Sequence, residues 1–404
     1  MSCNVDKVYC APGNAGTAGD AENSDIDISD HKRVIEFCRE KSVDLVVVGP
    51  EAPLAVGIAD ELENAKIKVF GPTYAGARLE SSKIFAKELM GEYGIPTAGF
   101  KIFDYIGNAA EYLQKARYPL VVKAYGLAAG KGVVIAGSEE EAVKAAEDML
   151  VNKVFGSAGE QIIIEDFLEG EEASILTVTD GKNIIPLATS QDHKRANDGD
   201  TGPNTGGMGA YSPAPVITDE LYDRIIREIL VPTVKGLRKE GITYRGVLYA
   251  GVMITADGPK VLEYNVRFGD PETQVVLPRM KSDLAELLMA AASGDISSVE
   301  VEWDDRDYVC VVLASGGYPE KYEKGKKISG LDEALDSGAL VFHAGTEEKN
   351  GDILTSGGRV LGVVGRGKGI EKAIESTYRG VEKIRFDGMQ YRNDIGHRAL
   401  AREK

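Results

Sequence analysis

Residues 261–273 read Val-Leu-Glu-Tyr-Asn-Val-Arg-Phe-Gly-Asp-Pro-Glu-Thr and hold the densest set of groups able to do chemistry. Val261, Leu262, Tyr264 and Val266 are β-formers, and Asp257-Gly258 turns the chain back from an apolar run at 246–255. On a strand, residues two apart share a face, so Glu263 and Asn265 present a carboxylate and a carboxamide oxygen side by side. Two hard oxygen donors suit Mg2+ (or Mn2+), an ion that keeps its other positions for water and phosphate oxygens. Arg267 has the same parity, so a cation follows this metal pair at about 6–7 Å. Gly269, Asp270 and Pro271 then break the strand and hold a second carboxylate at its end. Such a set predicts phosphoryl transfer onto a carboxylate substrate. Glu-x-Asn alone fits a solvated edge strand better; the Arg-Phe-Gly-Asp-Pro-Glu continuation weighs against that.

The elements that must position these groups follow from the apolar pattern. Residues 5–80 alternate short strands (5–10, 44–48, 67–70) with helices (30–41, 55–65), which predicts a parallel α/β sheet. Ligands of such sheets sit beyond the carboxyl ends of the strands. Those ends carry Pro12-Gly13-Asn14-Ala15-Gly16-Thr17, Gly49-Pro50-Glu51 and Gly71-Pro72-Thr73. Each could be a plain turn; three in succession favour a small polar ligand.

A linking helix at 81–90 leads into a small α+β unit over 99–170. Its strand 119–124 carries Lys123, and the glycine-rich loop 126–132 carries Gly130, Lys131 and Gly132 before a second strand at 133–136. One cation from a strand and one from a flexible loop are suited to close over a nucleotide's phosphates. Ser138 followed by Glu141 is a capping box for a helix through Met149. A strand at 162–167, containing Glu165 and Phe167, runs on through Leu168, and its backbone is placed to read an adenine edge, with Glu172 near a ribose. Gln191-Asp192-His193-Lys194-Arg195 then opens a long polar loop through Asn204, Gly206 and Gly207 to Tyr211, suited to close backbone approach by an anion. Helices are expected at 218–240 and at 281–293, the latter packed behind the metal strand. Strands at 308–314, 340–343 and 360–365 with a helix at 370–384 complete an α+β cap.

Length and composition set outer limits. The 404 residues, 43% apolar, imply two to four domains, with boundaries expected at 1–98, 99–170, 171–303 and 304–404. No apolar run reaches the about 18 residues a membrane helix needs, and no basic-plus-apolar leader is visible, so a cytoplasmic protein without a membrane partner is expected. A net charge of −17 argues against nucleic acid and requires anionic substrates to be held by local cations. Four scattered cysteines and four scattered histidines exclude a disulfide frame and a soft-metal site.

Taken together, the motifs at 11–17, 49–51, 126–132, 191–195, 202–211 and 263–274 resemble the phosphoribosylamine–glycine ligases, an ATP-grasp family of purine synthesis, over residues 5–400. The resemblance implies an N-terminal α/β domain, a lid, a central ATP-grasp half and a C-terminal cap. It implies ATP-dependent ligation of glycine to phosphoribosylamine through glycyl phosphate, giving glycinamide ribonucleotide, ADP and phosphate. Mg2+ would lie on Glu263 and Asn265, and ATP phosphates on Lys123 and Lys131. Arg267 would face the glycine carboxylate and Asp270 would orient an amine. Substrate contacts would come from Pro12, Gly13, Asn14, Gly16, Pro50, Glu51, Asp192, Lys194, Asn204, Gly206 and Gly207. Relatives carry a further strand and a phosphate-binding turn ahead of the strand at 5–10, so a weaker grip on phosphoribosylamine is expected here. Other readings are a different ATP-grasp carboxylate–amine ligase, or a nucleotide-binding protein with impaired catalysis. A monomer or homodimer acting on small molecules fits all of them.

Overall fold

The computed structural model describes residues 2–126 and 132–403. At the N-terminus, Tyr9–Cys10 pairs in parallel with Glu22–Asn23, and Val46–Val47 pairs in parallel with Val69–Phe70. The three strands expected here, 5–10, 44–48 and 67–70, all come out shorter than their apolar runs predict, as Tyr9–Cys10, Val46–Val47 and Val69–Phe70. Val5 and Val8 are exposed, so their side chains do not extend the first one into a core among the described residues. The helix His31–Glu40 starts where Asp30 caps it, its side chain accepting from the Arg33 amide. Leu54, Ile58, Ala59 and Leu62 form the buried side of the next two helical turns and pack against Val69.

Two four-stranded antiparallel sheets follow. The smaller has the order Phe100–Phe103, Ile162–Asp166, Leu120–Ala124, Val133–Ala136 and is backed by the helices Ile106–Leu113 and Glu139–Leu150. Ser138 caps the second of these through the Glu141 amide. The larger sheet has the order Ile184–Pro186, Glu171–Thr179, Gly246–Thr255, Gly258–Asn265. Ala250, Val252, Val261 and Tyr264 point to one face and pack with Ile225, Ile229 and Val234 of a long helical segment. That segment runs as Asp219–Ile225, a π-helical turn Ile226–Leu230 and Val231–Lys239. Thr233 and Tyr264 share a 2.6 Å hydroxyl hydrogen bond across this contact.

The helix at the end of this unit, Leu284–Ser293, does not lie behind the metal strand as expected. It touches Gly246–Thr255 and Val69–Phe70, because Leu287, Leu288 and Ala291 join Phe70, Val247 and Tyr249 in a separate core. The strand Gly258–Asn265 is instead backed by Tyr74–Ser81, Lys83–Glu92 and Asp219–Ile225. No helix among the described residues is long and apolar enough to cross a membrane.

A five-stranded sheet closes the chain: Gln191–Asp192, Gly209–Ser212, Asp307–Ala314, Arg359–Gly367 and Leu340–His343. It draws strands from both sides of the expected boundary at 303/304. The polar stretch 191–211 is therefore not an unstructured loop. Its two ends enter this sheet, and its middle folds as the hairpin Arg195–Asn197 with Thr201–Asn204. Arg392 anchors that hairpin. Its fully buried guanidinium donates to Asp200, to Asp394 and to the Arg195 carbonyl, and Asn393 holds Asp198. Removing one member of a buried ion cluster leaves the others uncompensated. Arg392→Met should therefore cost about 3 kcal/mol, read as a lower midpoint in urea unfolding. A midpoint equal to that of the parent chain would show that the hairpin is anchored elsewhere.

Candidate active site

The strand Gly258–Asn265 carries the centre of the site. Its register places Asn265 opposite Tyr249 and Glu263 opposite Gly251, with a bulge between Gly251 and Val252. The bulge falls at Leu262. It turns Val261 into the same core as Tyr264, three residues on, and leaves Glu263 and Asn265 together on the other face. Neither Glu263 nor Asn265 has a side-chain hydrogen bond to any described residue, and both are half-buried. Beside them, Tyr249 Oη donates to Glu272 Oε1 at 2.6 Å and lies 2.8 Å from Ser174 Oγ. Burial, with Glu272 adding to it, raises the tyrosine well above its usual pKa, so this hydroxyl stays protonated.

Arg267 continues the wall. Its Nε donates to Glu51 Oε2 at 2.8 Å and its Nη2 to Glu80 Oε1 at 3.2 Å. The other Glu80 oxygen accepts from the Val266 amide at 2.8 Å. Burial lifts Glu80 to about 7; Glu51 and Glu263 add to the shift while Arg267 opposes it. For Glu51 burial is outweighed by a backbone amide and Arg267, so its pKa lies below the usual range. Glu80 was invisible in the sequence: it sits at the end of an ordinary helix with no motif around it.

Lys123 reaches the same wall from the smaller sheet. Its Nζ lies 3.0 Å from Glu165 Oε2 and 3.3 Å from the Leu262 carbonyl that the bulge frees. Glu165 is thus a buried ion-pair partner rather than a free nucleotide contact. The backbone of Ile162–Asp166 is paired on both sides, so an open edge begins only at exposed Phe167 and half-buried Leu168. Lys83 Nζ donates to the Gly126 carbonyl at 2.9 Å; burial depresses its pKa, with Glu263 opposing and Lys123 reinforcing. Gly130 and Lys131 lie outside the described residues. The Gly132 carbonyl accepts from the Ala124 amide at 2.8 Å, which sets the loop's return.

On the far side of the wall, Lys194 and Glu172 pair at 2.6 Å. Lys194 holds Glu172 below the usual carboxylate range. Glu172 and Asp192 hold Lys194 well above its own range against the effect of burial. Asp192 is pushed up to about 7 by burial, with Lys194 opposing and Glu272 and Glu172 adding. Asp270 is clamped by Arg359, whose Nη2 donates to its Oδ2 at 2.8 Å while Nη1 bridges the Asp270 and Gly206 carbonyls. Gly207 has φ +111° and approaches Pro271 so closely that a Cβ would lie 2.4 Å from its Cδ. Gly206, Gly207 and Asp270 therefore meet.

The N-terminal loop behaves differently. Asn14 accepts from the Gly16 and Thr17 amides at 2.9 Å and donates to the His343 carbonyl at 2.8 Å. A side chain at Gly16 would strike the His343 ring, and one at Gly13 the Asn23 side chain. This loop, with exposed Pro12, is thus built against the C-terminal sheet. Pro50 directly precedes the helix Glu51–Ala55, which carries Glu51 to Arg267. Asn204 lies exposed in the hairpin, paired with Arg195.

A small antiparallel sheet bringing Lys123 over a second sheet that bears Glu263 and Asn265 is the ATP-grasp arrangement, and with it the class is an ATP-dependent ligase. The comparisons agree. The biotin carboxylase of Campylobacter jejuni shares the fold at a TM-score of 0.72 and 14% identity, over 95% of this chain and 86% of that one. More narrowly, the chain belongs to the phosphoribosylglycinamide synthetase family. Its N domain matches residues 1–80, its ATP-grasp (A) domain 81–273 and its C domain 308–398. The phosphoribosylamine–glycine ligase of Vibrio vulnificus is 52% identical over 404 residues, 99% of this chain and 94% of the relative. That of Thermotoga maritima superimposes at a TM-score of 0.86 with 37% identity, covering 96% of this chain and 94% of that one.

Next to this site, His193 is fully buried, edge-on to the rings of Tyr211 and His397, with Nδ1 unpartnered among the described residues. Burial lowers it to about 3; Arg398 and Arg392 add to this and Asp200 opposes it. The unfolded histidine binds its proton near 6.5, so its contribution to stability is complete above that pH and is lost as pH falls toward 3. The limiting slope is about 1.4 kcal/mol per pH unit. His193→Gln should therefore lose about 2 kcal/mol less than the parent chain between pH 6.5 and 4.5, measured by urea unfolding at both pH values. Parallel losses in the two proteins would mean that the ring takes up its proton over the same pH range folded as unfolded.

Proposed function

We propose that this chain joins glycine to 5-phosphoribosylamine with ATP, forming glycinamide ribonucleotide, ADP and phosphate through a glycyl phosphate intermediate. The observation that carries this reading is the uncommitted Glu263–Asn265 pair beside Lys123 and Arg267, in a chain 52% identical to a phosphoribosylamine–glycine ligase along its length. Glycine's carboxylate attacks the γ-phosphorus of ATP, and the 1-amino group of phosphoribosylamine then displaces phosphate from the acyl carbon.

In this reading Lys123, with Lys131 from the neighbouring loop, takes the nucleotide's phosphates. The segment at Phe167 and Leu168 meets the adenine edge, and Glu172 the ribose. Arg267, oriented by Glu51 and Glu80, receives the glycine carboxylate. Asp270, held by Arg359, orients an amine. Pro12, Gly13, Asn14, Gly16, Pro50, Glu51, Asp192, Lys194, Asn204, Gly206 and Gly207 grip phosphoribosylamine. The sheet at 99–170 acts as a lid that keeps water from the acyl phosphate.

A divalent ion fits Glu263 and Asn265. Both are hard oxygen donors on one face, free of other hydrogen bonds among the described residues, and no cage of three or more His, Cys, Asp or Glu surrounds them there. Mg2+ or Mn2+ held at these two residues would neutralise charge on the β- and γ-phosphates.

The direct test is ADP release, which should require glycine and phosphoribosylamine together. Release driven equally well by another amino acid or amine would move the chain to a different ligase specificity. Glu263→Gln should fold normally and lose turnover at least about a hundredfold, on the order of 3 kcal/mol of transition-state stabilisation. Undiminished ADP release by that variant at limiting Mg2+ would take the metal role away from this strand.

A further inference from the structure

Lys87 is not among the residues given a role in the proposed ligation, yet its side chain, on the helix Lys83–Glu92, is only 3% exposed. Its Nζ donates to Thr97 Oγ1 at 2.7 Å and lies 3.0 Å from Glu165 Oε2. Lys123 Nζ lies 3.0 Å from that same oxygen. The other oxygen, Glu165 Oε1, is buried with no partner among the described residues. Two ammonium groups thus share one carboxylate where water is excluded. Burial depresses Lys87 to about 8, Glu165 resisting and Lys123 adding.

The charge count decides what this does. Lys87, Glu165 and Lys123 together carry one net positive charge. Lys123 and Glu165 without Lys87 would carry none, and at low effective dielectric a phosphate beside Lys123 would feel the carboxylate nearly as strongly as the ammonium. We propose that Lys87 is a positioning residue for the nucleotide: by occupying Glu165, it leaves the Lys123 ammonium net positive toward the phosphates. The inference rests on the reading of Lys123 as a phosphate ligand. Lys87 also links the smaller sheet to the larger one, pairing with Glu165 and donating to Thr97, whose Oγ1 in turn donates to the Val261 carbonyl.

The test is calorimetric titration with a non-hydrolysable ATP analogue plus Mg2+, and with adenosine, which has no phosphate. The proteins are the full chain, Lys87→Met, Glu165→Gln, the double variant and Lys123→Met, each checked for folding by circular dichroism. Lys87→Met should bind the analogue about tenfold or more weakly and adenosine unchanged. Adding Glu165→Gln to it removes the neutralising carboxylate and should recover most of the lost affinity, which a merely structural role for Lys87 would not do. Parent-like binding by Lys87→Met, or a double variant weaker than Lys87→Met, overturns the proposal. Should Lys87→Met fail to fold, Glu165→Gln alone decides: binding at least as tight as the parent supports the proposal and weaker binding overturns it. Parent-like binding of the analogue by Lys123→Met would instead refute the phosphate-site reading, and the proposal with it.

Discussion

The strand Gly246–Thr255 is the element on which the other parts depend, because it is hydrogen-bonded on both sides and buried over its first eight residues. One of its faces closes the core with Tyr264, Ile229 and Val234. The other sets Tyr249 against Glu272 and leaves Gly251 opposite Glu263. Through the adjoining strand, the same pairing fixes Ser174 opposite Gly251 and Glu172 opposite Met253. A shift of register by one residue would exchange these faces, burying the carboxylates and exposing the core. The geometry of the site is therefore set by backbone pairing in the sheet, before any ligand arrives.

Around that frame the chain solves an electrostatic problem. In a protein with net charge −17, the cations at this wall are few, and they are placed in fixed pairs. Arg267 is held by Glu51 and Glu80, Lys123 by Glu165, Lys194 by Glu172 and Arg359 by Asp270. Each pair costs desolvation, which the pairing and added hydrogen bonds offset. What such pairs contribute is orientation: the cations are ordered before substrate binds, so less side-chain entropy is lost when it does. Carboxylates crowded into this wall respond as like charges in a poorly hydrated place should, and Glu80 and Asp192 both rise to about 7.

Much of this was legible locally. Alternation and turn residues located the strand 246–255, the following strand through Val261, Leu262 and Tyr264, and the face shared by Glu263 and Asn265, since β-pairing across a tight turn is a short-range event. Helix starts at Asp30 and Ser138 were readable because a cap is a contact within four residues. In the polar stretch 191–211 the strand Gly209–Ser212 left no local mark, because its partner near Cys310 and Val311 lies about a hundred positions away.

By itself the amino-acid order determined the types of elements, the oxygen donors at 263 and 265, the cations at 123, 194 and 267, and the family to which the chain belongs. Tertiary structure decided which charges meet. The bulge at Leu262 breaks simple alternation, sends Val261 into the core and offers a carbonyl to Lys123. Glu80 reaches Arg267 across 187 residues, and Arg359 reaches Asp270 across 89. Lys87 and Lys123 converge on a single Glu165 oxygen from separate elements. Periodicity reports the face on which a side chain lies, because that follows from backbone geometry one or two residues away. The partner it finds there depends on how distant segments pack, and an ion pair inside that packing has no signature in the spacing of its members.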